Sequence, residues 1–111
     1  MRRIMFVAAI VMLGESPAAR IGDPTTRGQV LPPGAPTVLI CGMPAARVGD
    51  LARSQVPKDA GVAVATAPTT VTIATGSPTV LIAGKSAARI GDTTTNGDKI
   101  LVGCPTVVIG P

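Results

Sequence analysis

The chain has 111 residues, room for one compact domain, and carries a net charge of +4 from ten basic and six acidic residues. It is 46% hydrophobic but has one aromatic residue, Phe6, and no histidine, tryptophan or tyrosine. That composition offers no stacking platform for nucleic-acid bases, lacks the commonest general base and metal ligand, and leaves mainly Val, Ile, Leu and Ala, which pack in thin layers and do not line a deep pocket.

In chain order, Met1-Arg2-Arg3 precedes an apolar run over residues 4–13. The run has the look of a secretory signal and is too short to cross a bilayer, which takes about 20 residues. Its end, Ile10-Val11-Met12-Leu13, stands ahead of Pro17-Ala18-Ala19-Arg20-Ile21-Gly22-Asp23 in the same register as Thr37-Val38-Leu39-Ile40 stands ahead of Pro44-Ala45-Ala46-Arg47-Val48-Gly49-Asp50. Residues 4–13 therefore read as a strand of the fold, within one domain spanning 1–111. A third copy, Ser86-Ala87-Ala88-Arg89-Ile90-Gly91-Asp92, follows Pro78-Thr79-Val80-Leu81-Ile82, and the chain closes on Pro105-Thr106-Val107-Val108-Ile109.

The copies keep register. Arg20 and Arg89 are 69 positions apart, as are Pro36 and Pro105; Arg47 and Arg89 are 42 apart, as are Pro36 and Pro78. Internal repetition of this kind defines an architecture before any local propensity does. Each unit reads as a hairpin. Pro-Thr-Val-Leu-Ile is a strand with Pro at its start, where no ladder N–H is lost. Cys41-Gly42-Met43 or Ala83-Gly84-Lys85 turns the chain, and Ala-Ala-Arg returns. Gly-Asp ends the unit in a turn, because Gly accepts positive φ and Asp bonds nearby backbone. The alanines allow close backbone approach. The Arg–Asp pattern occurs three times, whereas an active site is a unique constellation, so Arg20, Arg47, Arg89, Asp23, Asp50 and Asp92 read as scaffold, together with Gly22, Gly49 and Gly91.

The Pro-Ala-Ala-Arg tetrads at 17–20 and 44–47, set within the arrangement over 36–50, closely resemble the PAAR-repeat family. The resemblance runs from about Ile10 to Pro111. It implies an all-β, cone-shaped domain of three pseudo-threefold hairpin repeats. It also implies a structural role: one tip capping and sharpening a trimeric VgrG-type spike of a contractile injection system, type VI secretion or a related particle. Three repeats in one chain match three chains in such a partner. On this reading the protein is assembled in the bacterial cytoplasm and ejected outward or into a target cell. It meets the target membrane transiently, carries effectors where cargo is delivered, and binds no nucleic acid.

The sequence departs from the family at the apex. Family members commonly hold zinc there with His and Cys ligands placed just after each Gly-Asp. Here those segments contain neither, and the corresponding positions are Arg27, Ser54 or Gln55, Asp59 and Asn96. Zinc favours thiolate and imidazole, so no metal or other cofactor is expected. Arg27, Asp59 and Asn96 are candidates for holding the tip by hydrogen bonds and ion pairs. Asp59 and Asp98 read otherwise as solvated turn formers. Cys41 and Cys104 are small hydrophobes or one disulfide; the sequence leaves both open.

With no catalytic constellation, the chain does not read as an enzyme. With the sequence ending at Pro111, directly after the last strand, any cargo is expected to be bound non-covalently or loaded elsewhere. The alternative class is a small secreted β-binding module, which the signal-like start would serve.

Overall fold

The computed structural model describes residues 15–55 and 69–110, so the strand expected over residues 4–13 lies outside them, as does Asp59. The expected all-β class holds, with no helix among the described residues. In chain order the strands are β1 (Ser16–Ala18), β2 (Pro24–Thr25), β3 (Gly28–Val30), β4 (Ala35–Ile40), β5 (Met43–Ala45), β6 (Leu51–Ser54), β7 (Thr69–Thr72), β8 (Leu81–Ile82), β9 (Lys85–Ser86) and β10 (Cys104–Ile109). All of their pairings are antiparallel: β1 with β10, β4 with β5, β8 with β9, and a sheet in the order β2-β3-β6-β7.

Two hairpins form where the sequence places them, with tighter turns than expected. Ile40 pairs with Met43 and Ile82 with Lys85, so each turn has only two residues. Cys41 and Gly42 have φ of 50° and 83°, and Ala83 and Gly84 have 50° and 84°. Two successive positive φ angles define the hairpin turn whose twist suits a right-handed ribbon. Beside the first motif, the pairing partner is the chain's last strand: Ser16 faces Ile109 and Pro17 faces Val108. The first and last of the described strands thus close on each other through the third copy of the Pro-Thr-Val segment.

These six-residue strands are not straight. Ala35 faces Ala45 and the next partner pair is Leu39 with Pro44, so residues 36–38 bulge out of the ladder. β10 does the same between Cys104 and Val108, opposite Ala18 and Pro17. Pro36 and Pro105 sit in the bulges, where a missing N–H costs nothing. The copy at 78–82 is strand only over Leu81–Ile82. There Ser77 replaces the alanine and cysteine of the other copies, and its Oγ accepts from the Thr79 and Val80 amides at 3.2 and 3.0 Å. A local serine bond of this kind turns the chain away from an extended ladder.

The core has two layers, and successive alanines of each motif face opposite ones because neighbouring side chains along an extended backbone alternate. Ala18, Ala45 and Ala87 join Ala35, Ile40, Ile82, Cys104 and Ile109. Ala19, Ala46 and Ala88 join Ile21, Val30, Ile73 and Ile100. All six motif alanines are 0% exposed.

Candidate functional site

The three motifs meet one another directly. The Ala19 amide donates to the Ala88 carbonyl, the Ala88 amide to Ala46, and the Ala46 amide to Ala19, each at 3.0 Å, closing a ring. A second ring runs beside it: Ile21 to Pro44 at 2.9 Å, Val48 to Ser86 at 2.8 Å and Ile90 to Pro17 at 3.0 Å. Backbones this close leave room for a methyl group and little more, which is why the motif needs alanine twice.

Next to the rings each Arg is locked to the Asp three residues on. The Asp23, Asp50 and Asp92 carboxylates accept from the amide and Nε of Arg20, Arg47 and Arg89, at 2.7–2.8 Å and 3.1 Å respectively. Their second oxygens accept from the guanidinium ends at 2.7, 3.0 and 3.2 Å. The hydrogen bond to Asp23 outweighs burial and holds Arg20 above its ordinary pKa. The Asp amide in turn donates to the Arg carbonyl at 3.0–3.1 Å. The glycine between them, Gly22, Gly49 or Gly91, has φ of 91–93°, which the turn requires at that position. Arg47 and Arg89 reach further, to the carbonyls of Gly34 at 3.2 Å and Gly110 at 2.9 Å. All three ion pairs are mostly buried, so they hold the turns with little competition from water.

On the side of the first alanine layer the surface exposes aliphatic side chains among threonines such as Thr37 and Thr106. Ile40, Ile82 and Ile109 are buried there, while their neighbours Leu39 and Leu81 are 62% and 63% exposed, and Met43 and Val107 are exposed as well. Cys41, in the β4–β5 turn, is joined to Cys104 of β10 by a disulfide with Cα atoms 6.1 Å apart. That resolves the choice the sequence left open, and ties two of the strand pairs together.

On the side of the second layer the interior turns polar: Thr25, Ser54, Thr94 and Asp98 are buried. Arg27 Nε donates to Asp98 Oδ1 at 2.6 Å, and its guanidinium also donates to the Asn96 carbonyl at 3.2 Å. Asn96 Nδ2 donates to Ser54 Oγ at 2.8 Å and its Oδ1 accepts from Thr94 Oγ1 at 2.6 Å. Of the three tip candidates, Arg27 and Asn96 are thus brought together. Asp98 corrects the expectation of a solvated turn former: it is 1% exposed, because Arg27 neutralises it. The repeat offsets do align Arg27, Ser54 and Asn96 as equivalent positions, but nothing in them leads to Asp98.

This donor set does not fit zinc. It offers one carboxylate, hydroxyls, an amide and a guanidinium, and both sulfurs are consumed in the disulfide. Among the described residues no three of His, Cys, Asp and Glu lie together.

Gly34, Gly76 and Gly103 also matter, although no motif singles them out. A Cβ on these would lie 2.7, 2.7 and 2.6 Å from the carbonyl oxygens of Ala45, Ala87 and Ala18. The available signal was their constant place, two residues before each Pro-Thr-Val.

Residues 24–102 match the family model described as the PAAR motif. A search of curated proteins returned no match.

Proposed function

The chain belongs to the PAAR motif family, and on that premise we propose that it is a structural spike-tip protein seated on a trimeric VgrG-type spike of a contractile injection system. The observation that carries the reading is the ring of amides joining Ala19, Ala46 and Ala88. It arranges three copies of one motif about a common centre, which suits a partner presenting three identical chains. Leu39, Leu81, Met43 and Val107 give one side of that arrangement exposed aliphatic surface, the chemistry of a docking face. The opposite, polar end would then lead. The tip is assembled in the bacterial cytoplasm, leaves with the spike, and meets the target membrane briefly, carrying effectors where cargo is delivered. Among the described residues there is no ligand cavity, and the family's role is structural and not catalytic.

The disulfide gives one observation in favour of a small secreted binding module, since such bonds persist in oxidising compartments. An ejected tip reaches the same compartments. Co-expression with the spike protein of its own system separates the two: a tip is retained through purification on the trimer, and a free binding module is not.

A further inference from the structure

We propose that the polar end is a metal-independent lock, in which the Arg27 guanidinium supplies the cation that joins the segments there. Three stretches converge, one after each motif. Arg27 of the first is paired with Asp98 of the third at 2.6 Å, and Asn96 of the third donates to Ser54 of the second at 2.8 Å. The Gln55 amide of the second donates to the Arg27 carbonyl at 2.8 Å. Every pair of segments is therefore linked, which is the task of a structural ion. Thr94 completes the set, since its Oγ1 donates to Asn96 Oδ1 and accepts from the Asp98 amide at 3.2 Å.

The charge balance argues against a bound divalent ion as well as the donor types do. Among the described residues there one guanidinium and one carboxylate cancel, leaving no net negative charge to attract a second cation, and Arg27 repels one. Asp98 Oδ2 is buried with no protein partner, and so is Thr25 Oγ1. Among the described residues Asp98 thus has Arg27 as its one opposite charge, whereas Arg27, whose side chain is 33% exposed, can turn to water if Asp98 is lost. The dependence is one-sided. A buried carboxylate stripped of its cation is among the costliest defects, whereas a guanidinium one third exposed to water loses less without its anion. A tip closed this way keeps its form in fluids where free zinc is withheld or chelated.

The inference does not rest on the spike-tip reading, because it concerns the stability of the isolated chain. It is tested by melting the full chain before and after exhaustive dialysis against EDTA, with zinc returned afterwards, alongside elemental analysis and the variants Arg27→Met, Asp98→Asn and the double substitution. We expect sub-stoichiometric metal and a Tm unmoved by EDTA or by zinc. Arg27→Met should lower Tm by roughly 10 °C or more, Asp98→Asn by clearly less, and the double variant should recover much of the Arg27→Met loss. If Arg27→Met does not fold, recovery of a folded double variant carries the same conclusion. Near-stoichiometric zinc, a fall in Tm on chelation, or a double variant no better than Arg27→Met overturns the lock.

Discussion

Ala19 and Ala88 lie 69 residues apart in the chain, yet the amide of the first donates to the carbonyl of the second at 3.0 Å. Ala46 completes the ring. Three segments meeting backbone to backbone fix both how tightly the motifs pack and which side chains they tolerate.

The ring predicts that Ala88→Leu overpacks the second layer. Three added carbons have nowhere to go among Ala19, Ala46, Ile73 and Ile100. The expected cost is about 2–3 kcal/mol, at the upper end of overpacking penalties. Urea unfolding measures it, and a variant as stable as the parent would mean that the layers are loosely packed.

Asp50→Ala removes the acceptor of the Arg47 amide, Nε and guanidinium together. It leaves a mostly buried cation with only the Gly34 carbonyl at 3.2 Å. A loss of about 3 kcal/mol is expected, and Asp50→Asn should lose less because its side-chain oxygen still accepts. Denaturant midpoints of the two variants check the order.

Gly76→Ala places a Cβ 2.7 Å from the Ala87 carbonyl oxygen and 2.8 Å from Val48. Backbone cannot yield as a side-chain end can, so the two segments must part. The variant should lose about 2 kcal/mol or more, read as a drop in Tm. Gly42→Ala, which meets nothing within 4 Å but sits at φ +83°, separates the clash from the conformational cost.

The disulfide spans a sequence separation of 63. Closing a loop of that size stabilises by about 4 kcal/mol when the constraint acts on the unfolded chain. Reductant should lower the unfolding midpoint of the parent and leave Cys41→Ser unchanged. Cys41 is the better site because it is exposed, whereas Cys104 is buried among Ala18 and Ile109.

Much of this fold is written in local chemistry. Arg-x-Gly-Asp announces a turn wherever it stands, because Gly must supply a positive φ and Asp must reach back to the Arg amide; all three copies form it. Pro-Thr-Val-Leu-Ile is a weaker instruction. A change from Ala35 to Ser77 at the preceding position redirects backbone bonds and shortens the strand. The pairing of β1 with β10 and the salt bridge from Arg27 to Asp98 depend on which segments the topology brings together from far apart in the chain, 71 positions for the salt bridge and more for the strands. No local pattern encodes that. The missing zinc ligands point to ion pairs at the polar end, but the partner itself, Asp98, is in sequence like any loop aspartate, and only its burial sets it apart.

The central claim, one tip seated on three identical chains, is tested most directly by native mass spectrometry of the chain co-purified with its spike protein. The predicted mass is that of one copy of this chain on three of the partner, with the complex lost when Leu39 and Leu81 are both replaced by Asp. A complex with any other ratio, or a chain that never associates with the trimer, contradicts the account.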